Sequence, residues 1–264
     1  MNTYTARTAA GSLAAGVMLL ASQVALAGPP FMTDDPEPLE PGHSEAYVFS
    51  TMDRGPGGTQ YVLPAFEYNT SPREDVHLHL MVPYVNLLPN EGPNQHGLGD
   101  VELGVKYRFV HETDGHPQVG VFPMLELPTG DSDKGLGNGR AWWTFPVWVQ
   151  KSFGPWTTYG GGGRAFNSAP GMLNYNFGGW LLQRSVTDKL TLGGEVFAQG
   201  APSVDAEHST FLNFGGSYSG IEACGGCSLL FRVGHSVAGE SHSEAYLGLY
   251  WTWATSAEEG KNKE

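Results

Sequence analysis

The sequence predicts an all-β protein, a transmembrane antiparallel β-barrel of about twelve strands. Three observations point there. Apolar and polar residues alternate along many short segments, the amino terminus carries the pattern of a secretory leader, and no later stretch is apolar for long enough to make a spanning helix. The clearest alternation is Val101-Glu102-Leu103-Gly104-Val105-Lys106-Tyr107-Arg108-Phe109. Successive side chains of a strand point to opposite faces, so the apolar set shares one face and the charged set the other. Behind a leader, lipid outside and water inside a barrel explain that division.

Residues 1–27 hold one charge, Arg7, an apolar run around Leu13–Leu20, and Ala25-Leu26-Ala27, the small-x-small pattern that a signal peptidase needs. Cleavage is expected before Gly28. Of the 14 basic residues, removal of Arg7 leaves 13 against 27 acidic, a net charge of −14. That balance offers no broad attraction for nucleic acid. The 37 glycines and 7 tryptophans suit short strands joined by turns. The expected organisation is a proline-rich periplasmic segment at 28–42, one β-barrel at 43–254, and an acidic tail at 255–264.

Turn signals place strands near 43–53, 59–69, 75–85, 101–110, 118–128, 141–151, 156–166, 174–185, 189–199, 208–219, 227–237 and 243–253. Short connections at Asn69–Pro72, Gly154-Pro155 and Thr187-Asp188 alternate with long ones at Leu88–Gly99, Thr129–Arg140, Phe166–Leu173 and Gly200–Glu207. With both chain ends periplasmic, the long connections all fall outside, as outer-membrane barrels require. The last strand puts Leu247, Leu249, Trp251 and Trp253 on one face, with the tryptophans suited to an interfacial girdle. Pro64, Pro83, Pro123 and Pro146 fall inside proposed strands, where proline cannot donate to a ladder, so they predict bulges or broken pairing. A soluble lipocalin-like barrel or β-sandwich is the alternative that those prolines keep open.

Several motifs together resemble one bacterial family. They are Gly28-Pro29-Pro30-Phe31 with Thr33-Asp34-Asp35-Pro36, Gly97-Leu98-Gly99-Asp100 ahead of Lys106-Tyr107-Arg108, and Leu127-Pro128-Thr129-Gly130-Asp131 with Gly135–Gly139. Gln150-Lys151 followed by Tyr159–Gly163 completes the set. The chain thereby resembles the outer-membrane proteins labelled phenol meta-pathway degradation proteins, also called transporters. The resemblance implies an outer-membrane barrel of a Gram-negative bacterium that admits small, hydrophobic or aromatic molecules. It implies no catalytic residues.

Parity places His77, His79, Glu102, Lys106, Arg108, Glu126, Arg164, Arg184, Glu195 and Arg232 toward the lumen. A Lys or Arg facing lipid at mid-depth costs about 2–4 kcal/mol. Those groups could line a selective pore, or fill a narrow barrel with ion pairs. Asp75-x-His77-x-His79 offers three ligand types on one side of a strand. Alternate residues lie far apart for a single ion and no fourth ligand is evident, so no metal or cofactor is expected. Gly160–Gly163 lacks the Lys-Ser/Thr of a phosphate loop and reads as strand glycine permitting close approach. Cys224-Gly225-Gly226-Cys227 suits a tight periplasmic turn closed by a disulfide.

The expected function is a channel or facilitator for small solutes. A lipid-modifying enzyme is the alternative from another class, with His208-Ser209, His235-Ser236 and His242-Ser243 as its tempting pairs; sequence neighbours on a strand face opposite sides, so any partnership must cross strands. A structural or adhesive barrel is the third. Expected partners are the lipid bilayer and lipopolysaccharide, the barrel-assembly machinery and a small-molecule solute, with no nucleic acid.

Overall fold

In a computed structural model, residues 29–255 are described; the leader and most of the acidic tail lie outside that range. Fourteen extended segments form one antiparallel sheet. They are β1 (His43–Gly55), β2 (Gly58–Arg73), β3 (Val76–Pro89), β4 (Gln95–Leu98), β5 (Val101–Val110), β6 (Gln118–Val121) and β7 (Met124–Leu127). There follow β8 (Trp142–Phe153), β9 (Trp156–Phe166), β10 (Tyr175–Ser185), β11 (Leu190–Gln199), β12 (Ser209–Ile221), β13 (Cys227–Gly239) and β14 (Ser243–Ala254). β1 pairs with β14 from His43↔Ala254 to Arg54↔Ser243, which closes the sheet into a barrel. β6 and β7 form one broken stave between β5 and β8, and β4 pairs only with the outer end of β3, so the ring has 12 staves.

The wall obeys the alternation. Leu103, Val105, Tyr107 and Phe109 are 39–50% exposed, whereas Glu102 and Lys106 between them are buried. Leu247 and Trp253 are likewise exposed on β14 while Tyr246 is buried. A belt of exposed Leu, Val, Phe and Trp around a closed barrel is the surface that hydrocarbon wets, and closure leaves no unpaired edge in it. The chain is an outer-membrane β-barrel. Long connections at 90–100, 128–141, 167–174 and 200–208 lie at one mouth; the start of β1, the end of β14 and the tight turns at Glu74-Asp75, Gly154-Pro155 and 186–189 lie at the other.

Two local expectations shift. The first periplasmic turn sits at Glu74-Asp75, with Asp75 at φ 64°, because β2 continues through Pro72 to Arg73. Two of the four proline sites break pairing: register jumps between Val62 and Ala65 around Pro64, and the stave at 118–127 breaks at Phe122-Pro123, whereas Pro83 and Pro146 stay inside continuous strands opposite Ala65 and Gly163. Phe122 still points inward, so parity survives the break.

The largest departure concerns residues 29–42. Expected as a periplasmic segment near the mouth, they enter the barrel instead. Phe31, Met32, Thr33 and Asp34 are almost wholly buried inside it. Gly179 is where β10 admits them, since a Cβ there would collide with the Thr33 hydroxyl.

Candidate lumenal site

The interior divides by chemistry. Toward the outer mouth, Phe122, Met124, Trp142, Trp148, Tyr175, Phe177, Phe197 and Phe211 form an apolar and aromatic cluster with Met32 of the entering segment. These residues alternate with lipid-facing apolar side chains, giving staves such as β8 a nearly continuous apolar sequence. Loop 128–141 folds over the same side. Asp100 accepts from the backbone N–H of Gly130 (2.9 Å) and of Asn138 (2.6 Å), and Leu136 is buried against Val85 and Leu87. Two motifs separate in sequence thus meet at the mouth.

Polar anchors seat the segment across the lumen. The backbone N–H groups of Met32 and Thr33 donate to the Glu195 carboxylate on β11, at 3.2 Å for Met32. Asp34 Oδ1 accepts from Lys106 Nζ on β5 at 3.0 Å, and Asp35 Oδ1 lies 3.3 Å from the same ammonium. β5 and β11 stand on nearly opposite walls of the ring, so the segment spans it. Glu37 Oε2 accepts from Gln150 Nε2 (2.7 Å) and Gln118 Nε2 (3.1 Å) near the periplasmic rim. Replacing water at these carboxylates with charge-assisted bonds offsets the desolvation that burial imposes.

Around that segment the predicted lumenal residues take definite places. His77, His79, Glu102, Lys106, Glu126, Glu195 and Arg232 face inward and are buried. His79 bridges two acids, with Nε2 2.9 Å from Glu102 Oε1 and Nδ1 3.5 Å from Glu67 Oε1; Nδ1 also bonds Asn69 at 2.8 Å. Glu126 lies opposite Glu102 in the ladder. Arg232 reaches Glu244 at 3.3 Å. Arg108 turns inward at the periplasmic end, where its Nε donates to Asp75 Oδ1 at 2.9 Å.

Arg164 and Arg184 correct the parity assignment, since both lie on the outer face. Arg164 is the ladder partner of Phe145 and Asn176, which are exposed, and its guanidinium lies 5.7 Å from the Phe166 ring. Arg184 pairs with exposed Leu192 and stacks 5.3 Å from Trp156. Each sits near a strand end, where a long cationic side chain reaches water along apolar surface, so the mid-depth penalty does not apply. Parity is illegible there because Gly160–Gly163 and Gly178-Gly179 remove the side chains that would show it.

Those glycines serve close approach. A Cβ on Gly162 or Gly163 would meet the carbonyl of Phe177 or Phe145 across the ladder. Cys224 and Cys227 form a disulfide across the periplasmic turn, with Cα atoms 5.6 Å apart, and Trp251 Nε1 donates to the Cys224 carbonyl at 3.0 Å. Asp75, His77 and His79 do not converge: Asp75 sits in the turn, bonded to Arg108 and to His111 Nε2 (3.0 Å). Glu74, Asp75 and His111 are close enough to share an ion, although Arg108 already occupies Asp75. His235 and Ser243 do meet across strands, Nδ1 to Oγ 3.1 Å, on the outer face; no acid orients the ring from its other nitrogen among the described contacts.

The barrel is shared with known outer-membrane proteins. An outer membrane channel from Pseudomonas putida F1 superposes with a TM-score of 0.69 at 14% identity, covering 83% of this chain and 98% of that one. The translocator domain of autotransporter NalP from Neisseria meningitidis superposes with a TM-score of 0.53 at 10% identity, covering 79% and 88%. No family model and no curated protein matches the sequence. What the likeness establishes is the fold of an outer-membrane barrel.

Proposed function

We propose that this barrel is a channel for small hydrophobic or aromatic molecules, with residues 29–42 as the movable part of its lumen. The observation that carries the reading is the composition of the outer half of the interior. Aromatic and thioether side chains there would present apolar, polarisable surface to a solute once Met32 withdraws. The segment is held by a few polar anchors rather than by a ladder, so its release breaks no wall pairing. The fold it shares with the Pseudomonas putida channel, and the motifs that resemble an aromatic-degradation family, agree with that reading.

Liposome swelling with the mature protein tests it. Deletion of Pro29–Gly42, with the leader kept for export, is expected to raise the rate for small aromatic solutes such as benzyl alcohol several-fold. Unchanged rates in the deletion, with the barrel folded, would overturn the assignment. The observed His235–Ser243 contact motivates a parallel phospholipid-hydrolysis assay, in which release of fatty acid abolished by Ser243→Ala would favour the enzyme class instead.

A further inference from the structure

Beside the seated segment, on its β1–β3 flank, lies a cavity of about 350 Å³, at the small end of the roughly 300–1,000 Å³ found for ligand pockets. Its charged lining is unbalanced. Glu45 and Glu67 come from the wall and Asp34, Asp35 and Glu37 from the segment, against Lys106 and His79. Lys106 is taken by Asp34 and Asp35, and His79 lies between Glu67 and Glu102. Glu45 accepts from Asn69 Nδ2 at 2.8 Å, and the same amide nitrogen serves Glu67 at 2.7 Å. No basic side chain reaches Glu45 among the described residues.

Two further observations call for a ligand. Asp34 and His77, two of its lining residues, are only 1% and 5% exposed, and Asp34 Oδ2 and His77 Nδ1 have no hydrogen-bond partner among the described residues. A buried polar atom left unpaired carries its full desolvation cost unless something else supplies the bond. Part of the remaining wall is aromatic: Tyr47 and Tyr250 stack with ring centroids 4.7 Å apart, and Phe122 lies edge-on to His77, beside Pro29, Leu39 and Leu230. Exposed Glu37 on the rim leaves the cavity open to water.

We propose that this cavity binds a small organic cation, an ammonium group on a compact aromatic or aliphatic body. The N–H donors answer the acceptors at Asp34, Glu45 and Glu67, the positive charge offsets the surplus of carboxylates, and the tyrosine faces accept the body. This goes beyond the channel reading and does not depend on conduction.

The test is calorimetric titration of the full mature chain in detergent micelles, with protein-free micelles as blank. Three probes share one ring and differ in charge: benzylammonium, benzyl alcohol and benzoate. Saturable binding of benzylammonium is expected, with benzyl alcohol weaker and benzoate silent. The double variant Glu45→Gln/Glu67→Gln is expected to weaken benzylammonium about tenfold or more, with heat-modifiable gel migration as the check of folding. Asp35→Asn, which changes no wall residue and leaves Asp34 on Lys106, is expected to weaken it severalfold and decides the matter if the double variant does not fold. Benzoate binding as tightly as benzylammonium, or benzylammonium binding unmoved by the folded variants, would overturn the proposal. Swelling assays on the same proteins report conduction separately, so each reading can fail alone.

Discussion

Lys106 shows how one side chain ties the wall to the interior. Its ammonium is buried, and its partners Asp34 and Asp35 lie on the segment. Removing one member of a buried pair leaves the other charge uncompensated, at a cost of about 3–5 kcal/mol. Lys106→Met is therefore expected to expel the segment rather than unfold the barrel. Single-channel conductance should rise and protease should cut within 29–42, while heat-modifiable migration stays normal. His242 offers a second residue-scale test at the outer mouth. Its Nδ1 lies 2.8 Å from Asp53 Oδ1 and its Nε2 3.3 Å from Glu240 Oε2. The hydrogen bond to Asp53 holds its pKa up at about 9, from an ordinary 6.5. Because the folded value is the higher one, the stabilisation is complete below pH 6.5 and disappears as pH rises through about 9. Melting curves from pH 6 to 10 should show a fall in Tm over that window which Asp53→Asn flattens; equal slopes in both proteins would refute it.

At the scale of elements, the wall was readable wherever a strand carries side chains on both faces. β5 and β14 announce their inner and outer sets directly, and the alternation of short and long connections orients the barrel. Where glycines run together, as in β9 and β10, the same logic fails and points Arg164 and Arg184 the wrong way. The segment at 29–42 was opaque for a different reason. It has no periodicity, and its burial depends on Glu195, Lys106 and Gln150, which only the closed ring brings together. Gly179 tests that dependence. Gly179→Leu puts bulk where Thr33 sits and is expected to raise permeability like the deletion, with the β9–β10 pairing retained; a variant as impermeable as wild type would show that the segment is not seated there.

For the molecule as a whole, net charge −13 and the inner ion pairs act at different ranges. Exposed carboxylates are screened within about 8 Å at physiological salt, whereas the buried acids around His79 and Lys106 keep their influence on whatever enters the lumen. The lumenal chemistry could be named from sequence only residue by residue. That Glu45, Glu67 and Asp34 would surround one cavity required the register of β1, β2 and β5 and the path of the segment.

The connections at the outer mouth have one more consequence, for how the protein meets the world beyond the cell. Residues 91–94 are all exposed, and Gly92 has open space around it. Gly137, by contrast, is pressed against the Asp100 carboxylate. Insertions survive where backbone is neither buried nor bonded. A peptide epitope placed after Gly92 should therefore be stained by antibody on intact bacteria, whereas one placed after Gly137 should abolish the folded band; staining that needs permeabilised cells would mean the barrel sits the other way up.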